Sequence, residues 1–254
     1  MKNLIFYLLV LLTFNLYAQG AFYIHGVNVP PEHAEHFENM EINYLSKLAQ
    51  DAVDEGEMRG WALLKRTPMI GNAADYKFNY FWVHSFKDID QMTTRKGFWE
   101  NFKKKFGFER SALKSTEIDA HGFYYFKTHT EFATENIGKY IIFNHGRALD
   151  LDKQRRWSDE VSKVFKENAD ESGMAGWGAA IQIAPQDRFS DRNNIFYWDV
   201  YETLTDVMKH MAGEAAISNI SPELKNKFSE NMPDGFSYRN ILELVVATTN
   251  SKNK

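Results

Sequence analysis

Asp54-Glu55-Gly56-Glu57-Met58-Arg59-Gly60-Trp61 is written a second time as Asp170-Glu171-Ser172-Gly173-Met174-Ala175-Gly176-Trp177. Trp82 and Met92 then reappear as Trp198 and Met208, at the same offset of 116 residues. The chain holds only 6 Trp, so two Trp–Trp matches at one ungapped offset point to a tandem duplication.

Working outward from Trp61, the first half reads as strand, helix, strand, strand, helix, strand. Ala21 to Val27 is a short apolar and aromatic strand. Pro30-Pro31 opens a helix, since Pro is tolerated in a first turn. Phe37, Met40, Tyr44, Leu45, Leu48 and Ala52 recur along it at three- and four-residue spacing, and Gly56 ends it. Met58 to Lys65 is a strand and Pro68 to Asp75 its turn. Tyr76 to Phe86 is the next strand, with Tyr76, Phe78, Tyr80, Trp82 and His84 on one face. Asp88 to about Phe106 reads as a second helix, and Gly122 to about Thr130 as the last strand.

The second half repeats the order. Gly138 to Arg147 is the strand, its His145-Gly146 echoing His25-Gly26. Trp157, Val161, Val164 and Phe165 line a helix. Met174 to Ile183 and Asn194 to Glu202 are the middle strands, Leu204 to about Ile217 is a helix, and Gly235-Phe236 to Val246 closes the half. The predicted boundaries are 20–134 and 135–254.

Each half is thereby expected to be a ferredoxin-like unit, a four-stranded antiparallel sheet with two helices on one face. The bare faces carry large apolar side chains, so the two sheets should pack together. On this topology, length and duplication the chain resembles the dimeric α+β barrel superfamily in its fused tandem form. The resemblance implies an α+β fold with an intramolecular barrel. It leaves activity open, because the superfamily holds antibiotic-biosynthesis and haem-degrading monooxygenases, chlorite dismutase-like haem proteins and stress-responsive barrels.

Composition narrows the classes. Met1-Lys2-Asn3 precedes the apolar run Leu4 to Leu12 and the small Ala18, the pattern of a secretory signal peptide over 1–19. The run falls short of the roughly 20 apolar residues of a membrane-spanning helix. Export to the periplasm or the outside is expected, without stable membrane insertion. The chain has no Cys, which excludes a disulfide framework, thiol catalysis, a thiolate metal site and a lipid-anchored Cys. The remaining chain, about 235 residues, can bury a sizeable core. A net charge of −4 argues against nucleic acid as partner. Further assembly into an oligomer stays open.

The candidate site residues are aromatic and imidazole groups. Trp61, Trp82, Trp177 and Trp198, with Tyr80, read either as equivalent core or as aromatic walls for a flat ligand: a porphyrin, a polycyclic compound or a sugar ring. His25 and His145 each end a first strand before a Gly. They should occupy the same relative place, where a neutral imidazole could act as a general base. At the constant offset the halves diverge where a single site would lie. His84 becomes Val200, Val83 becomes Asp199, Ser85 becomes Tyr201 and Thr94 becomes His210. A first-half site would use His25, His84, Arg59 and Tyr80; a second-half site His145, Asp199, Tyr201 and His210. The resemblance implies a further option, since chlorite dismutase-like proteins use a helix His in their second half as haem ligand and His210 lies on a helix. His33 and His36 share a helix face without a third ligand at useful spacing, and their surroundings read as a solvated helix start. The cofactor stays undetermined. Three readings follow: a monooxygenase-like enzyme on a flat apolar substrate, a non-catalytic envelope protein binding carbohydrate or lipid-like compounds, and a haem protein.

Overall fold

A computed structural model describes residues 20–67, 77–113, 116, 118–136, 138–186 and 193–249. The expected signal segment, the Pro68–Asp75 turn and Tyr76 lie outside them. The strands are β1 (Ala21–Asn28), β2 (Gly60–Arg66), β3 (Tyr80–Phe86), β4 (Ala120–Ala133), β5 (Tyr140–Gly146), β6 (Met174–Ala184), β7 (Ile195–Tyr201) and β8 (Phe236–Ala247). They close into one antiparallel barrel in the order β1-β3-β2-β8-β5-β7-β6-β4. The order β4-β1-β3-β2 in the first half matches β8-β5-β7-β6 in the second. The β2–β8 and β4–β6 ladders join the halves. The mixed α+β fold and the packing of bare sheet faces against each other are as expected. Closure also gives each of these strands a partner on both sides, so the barrel presents no open sheet edge.

The period of two sorts each strand between lumen and helix layer. Phe22 and Ile24 of β1 pack in the lumen with Leu64, Phe81, Phe126, Phe143 and Phe196. Tyr23, Val27, Trp61, Leu63 and Tyr80 face outward into the first helix layer. Ile142, Trp177, Tyr197 and Tyr201 face the second.

The helices are α1 (Ala34–Met40), continued through a π-turn (Glu41–Leu45) into α2 (Ser46–Asp54), then α3 (Ile89–Thr94), α4 (Phe102–Phe106), α5 (Leu151–Glu167), α6 (Leu204–Ala212) and α7 (Pro222–Asn231). Asp88, Asp150 and Thr203 cap α3, α5 and α6 with side-chain oxygens on first-turn amides. The expected single helix from Asp88 to Phe106 is broken. Arg95 turns extended, and a 3-10 turn (Phe98–Asn101) intervenes before α4. The helix expected to reach Ile217 stops at Gly213, which adopts φ +77°. α7 lies beyond it, with Ser221 as cap and Pro222 in the first turn.

The constant offset of 116 needs a correction. Trp61 pairs across the ladder with His84, and Trp177 with Asp199. The stretch from Trp61 to His84 is one residue longer than that from Trp177 to Asp199. His84 therefore corresponds to Asp199 and Trp82 to Tyr197, while Trp198 points into the lumen. A one-residue slip moves a side chain to the other face of a sheet. Buried Met92 likewise corresponds to buried Val207, whereas Met208 is exposed.

Trp198 lies flat on Gly178, where an added Cβ would sit 2.0 Å from the indole Cζ2. Gly178→Ala is expected to lower stability by about 1–3 kcal/mol through overpacking, measurable by urea unfolding. A neutral result would mean that the indole can leave this position freely.

Candidate functional site

β1, β2, β3 and β4 form the floor of a cavity of about 350 Å³ beneath the first helix layer. Its aromatic walls are Trp61, Trp82, Phe98, Trp99, Phe123 and Tyr125, and its polar groups are Tyr23, His25, Glu41, His84, Arg95 and Arg110. Arg95, Phe98 and Trp99, from the break after α3 and the 3-10 turn that follows it, line this cavity.

Glu41 is the group that periodicity reading passed over. It follows Phe37 by four residues and so shares its inward face, at the start of the π-turn. π-turns within helices occur frequently at functional sites. Glu41 is 3% exposed, and its carboxyl accepts a hydrogen bond from Trp82 Nε1 at 3.0 Å. Burial pushes its pKa up to about 7, against the opposing pull of the Trp82 indole and the Arg110 charge. A carboxyl half-ionised at neutral pH and open to an aromatic cavity is suited to moving a proton.

The imidazoles are arranged around it. His25 stacks on Phe123 at 4.0 Å between centroids, and its Nε2 lies at hydrogen-bond distance, 3.0 Å, from His121 Nδ1. Burial, then the neighbouring His121, lowers the His25 pKa to about 4. His84 is fully buried and stacked on Tyr23 at 4.4 Å, and its Nδ1 has no hydrogen-bond partner. Burial holds His84 well below the usual imidazole range, with Arg95 and His25 adding to the effect. Arg95 donates to the Tyr23 hydroxyl, and its guanidinium lies over the Tyr23, Phe86 and Trp99 rings at 5.1–5.7 Å. Burial pushes the Tyr23 phenol up to about 12 although Arg95 pulls the other way. The cavity thus offers imidazoles held neutral by burial, two guanidinium groups, Arg95 and Arg110, and one carboxyl whose pKa burial raises to about 7.

The corresponding space in the second half is a smaller cavity of about 260 Å³ with a different polar set. Asn144 Nδ2 donates to Asp199 Oδ2 at 2.6 Å, and Arg239 Nε donates to Asn144 Oδ1 at 2.7 Å. His210 Nε2 lies 3.8 Å from Asp199 Oδ2 and 3.4 Å from an Arg239 terminal nitrogen. Burial lowers the His210 pKa, partly opposed by Asp199. Trp177 walls this cavity, whereas Tyr201, 5.6 Å from His210, lies in the core beside it with a buried, unpartnered hydroxyl.

The predicted residues therefore do not form one site. His25, Trp61, Trp82 and His84 meet in the first cavity. Trp177, Asp199 and His210 meet in the second. His145 and Trp198 are in the lumen, so His145 is not the counterpart of His25, a place that Asn144 holds instead. His145 packs 4.8 Å from the Phe196 ring, and burial lowers its pKa to about 4. Tyr80 donates to Glu38 Oε1 at 2.7 Å and packs on Phe37. Arg59 pairs with Glu131 at the barrel rim, away from both cavities.

The haem expectation meets a cavity too small for it: the space beside His210 is about 260 Å³, below the usual 300–1,000 Å³ of small-molecule sites. His210 Nε2 faces the Asp199–Arg239 pair, while its Nδ1 is buried without a hydrogen-bond partner. Among the described residues, no group of three or more His, Asp or Glu is placed to hold a metal, and no helix is long and apolar enough to cross a membrane.

No family profile and no curated protein matches the chain. Solved structures do. A candidate monooxygenase from Fusobacterium nucleatum superposes with a TM-score of 0.57 at 10% identity, over 92% of this chain and 95% of that one. A candidate monooxygenase from Lactobacillus acidophilus gives 0.53 at 14% identity, over 91% and 97%. An anthrone oxidase-like protein gives 0.50 at 9% identity, over 92% and 94%. The architecture is that of the dimeric α+β barrel proteins, a likeness of fold rather than of activity.

Proposed function

We propose that the chain is an exported tandem pair of ferredoxin-like repeats whose first cavity binds a flat, electron-rich organic molecule and removes a proton from it, starting a monooxygenase-like oxidation. The buried Glu41 carboxyl, titrating at about 7 beneath aromatic walls, carries this reading. The duplication is supported by the matched strand orders and the Trp61/Trp177 positions. Export is supported by the apolar run Leu4 to Leu12 and Ala18.

The chemistry needs dioxygen as co-reactant. An activated ring methylene loses a proton to the Glu41 carboxylate, leaving a carbanion stabilised by the ring. The carbanion bonds to dioxygen and the peroxide anion regains the proton from Glu41. The hydroperoxide then loses water, so that the methylene and one dioxygen become a ketone and one water. His25, in contact with His121, and His84 stay neutral and can orient the substrate's oxygen atoms. Arg95 can stabilise negative charge that develops there. With a conjugate-acid pKa of about 4, His25 is a weaker base than Glu41.

The test is titration with anthrone, following tryptophan emission and dissolved oxygen together. Saturable quenching with oxygen uptake supports the enzyme. Quenching without uptake turns the reading to a non-catalytic envelope binding protein, and absence of both removes the proposal.

A further inference from the structure

The barrel lumen holds a further cavity, separate from the two helix-side cavities described above, of about 310 Å³. Its wall is formed by Phe22, Ile24, Leu64, Phe143, Phe196 and Trp198. Ala62, Val83, Trp198, Val200 and Leu244 point into the lumen yet remain partly exposed, so the space is open to solvent. Apolar side chains lining an open cavity gain by trading water for an apolar guest.

Beyond the cavity the lumen is filled with side chains. Phe78 packs its ring on the backbones of Gly26 and Gly122 and lies edge-on to Phe81 at 6.3 Å. Phe126, Phe196 and His145 fill the space behind, at 4.7 and 4.8 Å from ring to ring. At the other end Arg59, Ser85, Thr128 and Glu131 form the mouth. Arg59 and Glu131 are paired there at 3.2 Å with side chains 41% and 35% exposed. A closed pair of opposite charges favours neither an anionic nor a cationic guest, while the two hydroxyls suit a single neutral polar head.

We propose that the lumen is a binding site for a neutral, elongated apolar molecule with one hydroxyl or carbonyl head, its tail toward Phe78 and its head between Ser85 and Thr128. An apolar cavity of about 150 Å³ holds a benzene, so the present one admits roughly a dozen heavy atoms. The site is independent of the helix-side chemistry.

The probe is 1-decanol, with decanoate as its anionic counterpart, followed by calorimetric titration of the full chain. Saturable binding of 1-decanol is expected, at least tenfold tighter than decanoate. Ala62→Phe, which fills the lumen beside Val83, should weaken it at least tenfold while far-ultraviolet circular dichroism stays unchanged. Val83→Phe should act in the same way. In the unaltered protein, nuclear Overhauser contacts should run from the alcohol's chain to the Trp198 indole. This last readout decides the matter if both variants misfold. No saturable binding, tighter binding of decanoate, or contacts to Trp61 or Trp99 in place of Trp198 would overturn the proposal.

Discussion

Glu41→Gln removes oxygen-consuming turnover by about 10²- to 10⁴-fold while leaving ligand affinity within a few-fold, which is the largest functional effect expected of any single change here. The amide keeps the size of the carboxyl and an oxygen for the Trp82 indole N–H, so the cavity is preserved and the proton acceptor is lost. In the unaltered protein the rate should rise with pH through about 7, as the carboxyl ionises. Stability should move the opposite way. The folded-state pKa of Glu41 lies above its ordinary 4.5, so the native state holds the proton longer than the unfolded chain does. Stability from this group is fully present below pH 4.5 and is lost as pH rises through 7, on the order of 3 kcal/mol in all. His25 and His145 work in reverse, because their lowered pKa values make acid the destabilising direction, between about 6.5 and 4. Comparing urea unfolding of the Gln variant and the parent protein from pH 4.5 to 8 cancels the histidines and isolates Glu41. A variant with full turnover would end its role as base.

Trp177→Ala is expected to cost about 3–5 kcal/mol, the largest loss of stability from one side chain. Trp177 is 2% exposed and sits at the centre of the second core. It meets Phe165 edge-on at 5.6 Å, Tyr197 at 5.8 Å and Phe132 at 6.4 Å. Those rings are fixed by α5, β7 and β4, so the space left behind collapses poorly. Thermal and urea unfolding measure the loss directly. A cost below about 1 kcal/mol would mean that α5 can settle onto the sheet without the indole.

The repeated Gly-Trp at 60–61 and 176–177 carried most of the architecture, since both Trp residues occupy matching ladder positions facing the helices. The strand order and the closure of two apolar faces followed from it. The second Trp match misled by one residue. Trp82 and Trp198 share a sequence offset but lie on opposite faces, because the β2–β3 segment is longer by one residue and a strand has a period of two. The echo of His25-Gly26 in His145-Gly146 misled by one residue as well: Asn144 holds the place of His25, and His145 lies in the lumen.

Glu41 was legible in principle. It stands four residues after Phe37 and four before Leu45, a carboxyl in the inward stripe of a helix, but a template that counts only apolar residues steps over it. Ser221-Pro222-Glu223 likewise announced α7 as a cap followed by Pro in the first turn. The pairing of His25 with His121, and the turn of Arg95 into the cavity, depend on contacts between distant segments. No local spacing encodes them.

The most direct test of the central claim is the titration of the Glu41 carboxyl itself. Infrared difference spectra between the parent protein and Glu41→Gln, taken from pH 4 to 9, isolate its protonated C=O band. A band present at pH 5 and lost with a midpoint near 7 is the expected result. A carboxylate ionised throughout that range above pH 5 would contradict the assignment of Glu41 as the cavity's proton acceptor.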